Sequence, residues 1–192
     1  METSKEIEKV ILGDFLHLEE FAAIARYHAE VAFSQEYIER VSKSRTLVEK
    51  WVDEEKVMYG VTTGFGALCT EAIGKADTEQ LQENIILTHA VSVGDPLSEE
   101  GVRGILLMVL QNLGQGYSGV RIEVLEAYKE FLNRGVTPRV PADGSVGYLS
   151  LEGHCALVLM GMGEAWYQGE LLSGAEALKR AGGRQKVTVS NI

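Results

Sequence analysis

Residues 141–165 decide how the chain folds, and they read Pro-Ala-Asp-Gly-Ser-Val-Gly-Tyr-Leu-Ser-Leu-Glu-Gly-His-Cys-Ala-Leu-Val-Leu-Met-Gly-Met-Gly-Glu-Ala. The stretch begins as a loop broken by glycines and ends as an apolar run. Across residues 156–166 the apolar side chains lie all round, which predicts a helix at the centre of a bundle, where Gly161 and Gly163 permit close helix approach. A constrained loop that leads into a buried helix is typical of functional segments.

The composition is that of one globular domain with a real core, since 45% of the 192 residues are hydrophobic. The formal net charge of -10, without clusters of Lys and Arg, argues against nucleic acid or an anionic membrane surface as a partner. Cys69 and Cys155 are 86 positions apart, so we expect neither a disulfide framework nor a metal site. The N-terminus lacks the apolar core of a signal peptide and no apolar run could span a bilayer, which predicts a cytoplasmic protein.

Apolar residues recur at helical spacing along most of the chain. The predicted helices cover residues 19–27, about 34–55, 77–90, 98–113, 119–133 and 175–180, after an extended entry over 10–18. Ser34 and Ser98 are placed as N-caps, Asp77 with Gln80 resembles a capping box, and Gly135 is placed as a C-terminal cap. The inner stripe of the second helix is predicted to be Ile38, Val41, Val48, Trp51 and Val52. Residues 171–174 read as a turn into the last helix, and residues 182–192 as a frayed end or a strand borrowed by a partner.

Short motifs follow one another along the chain in a distinctive order. They are Leu18-Glu19-Glu20, the glycine-rich segment from Tyr59 to Gly66, Leu81-Gln82-Glu83-Asn84 leading to Thr88-His89-Ala90, Val93-Gly94-Asp95-Pro96-Leu97, Ser118-Gly119-Val120-Arg121, Pro138 with Pro141, and Gly144-Ser145-Val146-Gly147. Together they resemble the N-terminal part of the histidine and aromatic amino acid ammonia-lyases. The resemblance covers nearly the whole chain. It implies a mainly α fold, in which residues 1–192 form one helical domain that packs into a larger helical bundle assembly.

The sequence departs from this family at the segment that makes its electrophile. After Gly-Ser-Val-Gly the family pattern is Ala-Ser-Gly-Asp-Leu-Ala-Pro-Leu-Ala-His, and its Ala-Ser-Gly cyclises to a methylideneimidazolone. Here Gly147 is followed by Tyr148-Leu149-Ser150, and alignment on His154 leaves the Ala-Ser-Gly tripeptide missing. We therefore predict that no methylideneimidazolone forms, that the loop Gly147, Tyr148, Leu149 and Ser150 is a vestige of the electrophile loop, and that no cofactor is required.

A second departure is length, because the family continues into long helices that supply further residues of the substrate pocket. This chain ends at Ile192. The resemblance therefore implies a companion chain that carries the C-terminal helices, in a hetero-oligomer with a tetramer-like core. A truncated, degenerate copy is the alternative.

The resemblance assigns the catalytic role first to Tyr59, as the base that removes the proton beta to the leaving amine. Gly60, Thr63, Gly64, Phe65 and Gly66 would then form a substrate-binding or lid loop that excludes water. The alternative is a tyrosine that anchors a structural turn.

His89 matches the family histidine that contacts substrate or electrophile, although a histidine at a helix end can also cap carbonyls. His154 matches a position tied to helix packing. Arg121 is expected to tie its helix to a neighbouring helix through a carboxylate. Adjacent glutamates, as at Glu99 and Glu100, diverge by about 100 degrees on a helix and are expected on solvated faces.

Two functions from different classes remain open at this point. The first is a subunit of a split lyase that eliminates a good leaving group, such as a quaternary ammonium, from an amino-acid-type small molecule. The second is a non-catalytic scaffold or regulatory subunit that completes the active site of a partner lyase chain. An inactive fragment is a third possibility.

Overall fold

Of the 192 residues, the computed structural model describes 2–61, 63 and 78–182. The helices are α1 (Glu2–Lys5), α2 (Leu18–Tyr27), α3 (Gln35–Asp53), α4 (Thr78–His89), α5 (Glu99–Leu113), α6 (Ile122–Arg134), α7 (Leu149–Leu159) and α8 (Gly174–Arg180). The strands are β1 (Lys9–Leu12), β2 (Glu30–Phe33), β3 (Val93–Pro96), β4 (Thr137–Pro138), β5 (Pro141–Asp143), β6 (Glu164–Tyr167) and β7 (Glu170–Ser173). The mainly α prediction is confirmed, and within the described ranges no helix is long and apolar enough to cross a membrane.

Among the residues that the structure describes, three small sheets lie between the helices. β1 and β2 run parallel, β3 pairs antiparallel with β5, and β4, β6 and β7 form an antiparallel sheet in the order β4-β6-β7. The side-chain amide of Asn133, on α6, accepts the Val31 N–H at 2.8 Å and donates to the Val31 carbonyl at 2.9 Å. Asn133 therefore satisfies the free edge of β2 as a third strand would.

The long helix α3 begins where predicted, because the Ser34 side chain accepts the Tyr37 N–H as an N-cap. Its predicted inner stripe is only partly right, since the buried residues are Tyr37 and Val41. The Tyr37 hydroxyl donates to the Leu110 carbonyl at 2.6 Å, and its ring stacks on Phe33. A Cβ at Gly114 would lie 2.0 Å from the Tyr37 ring, so glycine is needed there for the ring to fit.

The helix α5 confirms its predicted range, with Ser98 as its cap, whereas α6 begins at Ile122, three residues later than predicted, and is followed by Gly135 in the left-handed conformation. Arg103 of α5 is only 1% exposed. Its guanidinium donates to the Ile24 carbonyl from Nη2 at 2.8 Å and to the Leu132 carbonyl from Nη1 at 3.0 Å. These carbonyls belong to the last turns of α2 and α6, where no further N–H groups of the helix are available to them. One buried cation therefore caps two helices.

The expected tie between α6 and a neighbouring helix is confirmed at the helix start. Arg121 Nη1 lies 3.0 Å from Glu49 Oε1 of α3, and Arg45 Nε lies 2.9 Å from the same oxygen. The Gly119 N–H donates to the Ser44 hydroxyl at 3.1 Å. The motif Ser118-Gly119-Val120-Arg121 therefore anchors α6 to α3.

The helix predicted over residues 156–166 is wrong in its bounds, because α7 spans Leu149–Leu159 and residues 164–167 belong to β6. The apolar run continues through both elements, so hydrophobicity does not mark where the helix ends. Gly161 and Gly163 have φ values of 74° and 61°, and they turn the chain from the helix into the strand rather than line a helix contact. Leu149 and Ser150, expected in a loop, form the first turn of α7.

The C-terminal hairpin is a second correction, because residues 171–173 lie in β7 rather than in a turn. The turn is at Gln168 and Gly169, which have φ values of 51° and 81°, the combination that a two-residue hairpin loop requires. The helix α8 is confirmed, with Ser173 as its N-cap. Residues 183–192 and the predicted cap at Asp77 lie outside the described residues.

Candidate functional site

Two segments that carry the family motifs meet at the start of α7. Val93 in β3 pairs with Asp143 in β5, and Pro96 pairs with Pro141. Gly94 has a φ of 86°, and a Cβ at this position would lie 2.4 Å from a carboxylate oxygen of Asp143. The pairing places the chain that leaves α4 beside the chain that enters α7.

Ser150 fixes this junction with its side chain. Its hydroxyl oxygen accepts the Val91 N–H at 3.1 Å and the Ser92 N–H at 2.8 Å, and the Ser92 hydroxyl bonds to it at 2.7 Å. Both serines are buried. The hydroxyl of Ser150 is therefore committed to holding the segment after α4.

Gly153, one turn further along α7, brings the two helices into contact. A Cβ there would lie 3.2 Å from the Ala90 nitrogen and 3.4 Å from the His89 carbonyl carbon. Because these atoms are backbone, they have little freedom to move aside. The end of α4 and the start of α7 therefore form one packed unit.

The start of α7 is capped from a distance. Tyr148 occupies the N-cap position but makes no capping bond with its side chain. The Ser145 hydroxyl instead accepts the Ser150 N–H at 3.2 Å and donates to the Gly147 carbonyl at 3.0 Å. Gly147 has a φ of 63°, which allows the chain to turn between them. The Gly-Ser-Val-Gly motif thus serves here as a helix cap.

His89 lies on the exposed last turn of α4. Its Nδ1 is 2.7 Å from the Ile85 carbonyl and 3.3 Å from the Thr88 hydroxyl. Because a carbonyl can only accept, Nδ1 carries the proton in the neutral ring, which leaves Nε2 with its lone pair. The His89 ring is therefore held against the last turn of α4 through Nδ1.

Tyr59 lies on a different segment, in the turns that follow α3, and its side chain is 66% exposed. Gly60 has a φ of 73°, and its N–H donates to the hydroxyl of buried Thr63 at 3.3 Å. Gly64, Phe65 and Gly66 lie outside the described residues. The structure joins His89 to the region of Tyr148–Ser150, and it places Tyr59 on a turn that Thr63 closes.

A cleft of ≈ 480 Å³ opens between α2, α5 and the start of α7. Its lining includes Phe21, Ile105, Met108, Glu100, Tyr148 and Glu152. Glu100 is paired with Arg26, at 2.7 Å from Nη2, whereas burial raises the pKa of Glu152 above its ordinary value. Sequence reasoning missed this cleft, although the i, i+4 spacing of Tyr148 and Glu152 places both on one helix face.

His154 packs beneath the junction. Its Nε2 is buried and has no hydrogen-bond partner among the described residues. Burial lowers the pKa of its imidazole, and a backbone hydrogen bond to Ser92 opposes that shift. These surroundings fit the packing role that the family position implies. In the described part of the chain, no three His, Cys, Asp or Glu side chains are placed to hold a metal ion.

Comparison with known sequences gives a consistent result. A family model described as aromatic amino acid lyase matches residues 16–189. Histidine ammonia-lyases from Streptococcus gordonii and Streptococcus sanguinis are 48% and 47% identical over 173 residues, which is 88% of this chain. The chain spans about a third of the length of these relatives, 34% in each case.

Comparison with solved structures agrees. A phenylalanine aminomutase from Pantoea agglomerans superposes with a TM-score of 0.88 at 35% identity, over 94% of this chain and 35% of that one. Ergothionase from Treponema denticola, an ergothioneine-degrading enzyme, gives a TM-score of 0.88 at 28% identity, over 92% of this chain and 36% of that one.

Proposed function

The chain belongs to the aromatic amino acid lyase family, and we propose that it is a subunit of a split lyase that eliminates an amine without a methylideneimidazolone. The substrate class is an amino-acid-type small molecule, and a companion chain supplies the helices that complete the pocket. The observation that carries the proposal is the use of Ser150 at the start of α7.

The cyclisation needs a small residue, a serine that loses water and a glycine amide in sequence. In this chain Ser150 is the first serine after Gly147, and Leu151 follows it instead of a glycine. Loss of its hydroxyl would leave the Val91 and Ser92 N–H groups without their acceptor. Residues 149–151 also form the first turn of α7, so this segment is part of a regular helix. These features support a site without the electrophile.

Without an electron sink, the amine must leave by itself, so the substrate must carry a better leaving group than a primary amine. A quaternary ammonium meets this need, because it departs as a neutral tertiary amine. The base removes the beta proton, that C–H electron pair becomes the carbon–carbon double bond, and the C–N pair leaves with nitrogen. Tyr59 is our candidate for the base, and His89 Nε2 for a group that contacts the substrate.

The relative that degrades ergothioneine supports this substrate class. Ergothioneine carries a trimethylammonium group, the kind of leaving group that needs no electrophile. The histidine ammonia-lyase relatives are more similar in sequence, at 48% identity, and they favour an imidazole-type side chain on the substrate. We therefore place betaines of histidine-like amino acids first among candidate substrates.

The test uses this full chain together with its companion polypeptide and follows formation of the conjugated product by ultraviolet absorbance. Ergothioneine, the trimethylammonium betaine of histidine, histidine and phenylalanine are compared. We expect turnover of the betaines alone. The Tyr59→Phe variant should lower kcat by at least about 100-fold, since a positioned general base contributes that much.

The matched control is Tyr117→Phe, because Tyr117 is 94% exposed and lies far along the chain from the candidate site. Its turnover should equal that of the unmodified protein. Turnover of histidine itself, by a protein whose own absorbance shows the bound electrophile, would contradict the proposal. Equal turnover by the two tyrosine variants would remove Tyr59 from the mechanism.

A non-catalytic scaffold is the second candidate, favoured by apolar side chains exposed around the start of α7. Val91, Val146, Tyr148 and Leu149 are each more than half exposed. Exposed apolar groups of this kind mark protein–protein contacts. If the Tyr59→Phe complex assembles and turns over normally, while Leu149→Lys prevents assembly, the scaffold function is the correct one.

A further inference from the structure

The cleft between α2, α5 and α7 combines aromatic and aliphatic walls with one carboxylate that lacks a partner. We infer that it binds an alkylammonium cation, with Glu152 as the counter-charge and Tyr148 and Phe21 as the aromatic walls. This inference rests on the proposed function, because it assigns the cleft to the cationic leaving group of the substrate.

The charge of the cleft is set by Glu152. Glu100 also lines the cleft, but Arg26 neutralises it through bonds of 3.0 Å from Nε and 2.7 Å from Nη2. Among the residues that the structure describes, no side chain forms a hydrogen bond or ion pair with the Glu152 carboxylate. A half-buried carboxylate without a partner is unfavourable unless a cation meets it. Burial raises the pKa of Glu152, whereas its place in the first turn of α7 favours the charged form through the helix dipole, and a bound cation would favour that form further.

The walls suit a bulky cation rather than a metal ion. The Phe21 ring lies against α5 over Gly104, where a Cβ would come within 3.1 Å of its Cζ. Ile105 and Met108 continue the apolar surface, and Tyr148 closes the side next to Glu152. Aromatic faces attract quaternary ammonium groups through the ring quadrupole, whereas a small divalent ion requires several oxygen ligands.

The size and position of the cleft agree with this assignment. Its volume of ≈ 480 Å³ lies in the range of small-molecule sites. Tyr148 directly follows the Gly-Ser-Val-Gly motif, where the family places the group that takes the amine. The cleft therefore lies beside the segment that follows this motif.

The probe is choline, and its control is 3,3-dimethylbutan-1-ol, an uncharged molecule of the same shape. Binding to the full chain is followed by NMR titration and calorimetry. We expect saturable binding of choline and none of the alcohol. Glu152→Gln should weaken choline binding by about tenfold and Tyr148→Leu by about threefold, since each removes one attraction. Glu36→Gln, another first-turn glutamate, should leave it unchanged.

Circular dichroism shows whether each variant is folded, and the comparison of choline with the alcohol on the unmodified chain does not depend on any variant. Equal binding of choline and the alcohol, or equal choline affinity in the Glu152→Gln and Glu36→Gln proteins, would overturn the inference. In the complex with the companion chain, choline should inhibit turnover competitively. If choline binds without inhibiting turnover competitively, the cleft does not bind the substrate, and the proposed lyase function is unaffected. If choline competes with substrate but Tyr59→Phe leaves turnover unchanged, the cation site in the cleft is supported and Tyr59 is not the base.

Discussion

The helices α5 and α7 pack against each other in the same core but owe their positions to different kinds of residue. α5 begins at its own N-cap, Ser98, and carries a regular apolar face with Arg103 buried in it. The N-cap residue of α7, Tyr148, makes no capping bond, and the helix start is held by two serines, Ser145 before it and Ser150 within it. The start of α5 is thus fixed within its own first turn, whereas the start of α7 depends on bonds to the residues before it and to the segment after α4.

The largest expected effect is at Arg103 in α5. Arg103→Met keeps an unbranched apolar stem but removes the guanidinium that donates to the Ile24 and Leu132 carbonyls. We expect the free energy of unfolding to fall by about 3–5 kcal/mol, as is usual when one partner of a buried charged interaction is removed. Urea denaturation followed by circular dichroism measures it.

Arg180→Met is the control for this change, because Arg180 lies on the exposed face of α8 with Glu170 and Glu176. Its stability should equal that of the unmodified protein within error. If Arg103→Met behaves like this control, the idea that one cation caps both α2 and α6 is wrong.

The next effect belongs to α7. Ser150→Ala removes the acceptor of two buried N–H groups at the junction with the segment after α4. We expect a loss of about 2 kcal/mol, together with faster amide exchange at Val91 and Ser92. Ser42→Ala, at an exposed position on α3, should show neither change. Loss of stability without faster exchange at Val91 and Ser92 would contradict the proposed junction.

Ser145 and Ser98 allow a direct comparison of the two helix starts. Each side chain accepts one N–H from the first turn of its helix, at 3.2 Å in both cases. Ser145→Ala and Ser98→Ala should therefore each cost about 1 kcal/mol. The changes should also add in the double variant, because the two caps serve different helices. A Ser145→Ala protein as stable as the unmodified one would show that α7 needs no cap from the Gly-Ser-Val-Gly motif.

The same contrast explains what the sequence could and could not predict. The apolar positions of α5 and α6 follow one helical stripe, and Ser98 marks the start of α5 and Gly135 the end of α6, so these two bounds were predictable. The start of α6 at Ile122 has no capping side chain and was predicted three residues too early. α7 is apolar on every side because it contacts α4, α5 and α8, and periodicity then gives no boundary. Its start at Leu149 depends on Ser145, five residues before the N–H that it accepts. This spacing differs from the three residues between an N-cap side chain and the N–H that it usually accepts, so the standard capping pattern does not reveal it.

The candidate site divides in a similar way. The family motifs identified His89 and the missing tripeptide, because those are features of residue order. The partner of Ser150, the carbonyl partners of Arg103 and the cleft beside Glu152 depend on segments distant in sequence. Tyr37 was missed from the inner stripe of α3 because its burial depends on the space left by Gly114. Side-chain pairing across segments therefore had to come from the structure.

The smallest expected effect is the contribution of His154, on α7, to the pH dependence of the free energy of unfolding. Burial lowers the pKa of His154 below its ordinary value of 6.5, so the unfolded chain takes up a proton before the folded chain does. The stability from the neutral ring is thus complete above pH 6.5 and is lost as the pH falls below that value. Between about pH 7.5 and about pH 5.5, His154→Gln should lose less free energy of unfolding than the unmodified protein, by under about 1 kcal/mol. Burial also lowers the pKa of His28, so part of the slope remains in the variant. Urea denaturation at both pH values measures the difference, and an equal slope in the two proteins would mean that the unpaired Nε2 of His154 is reached by water.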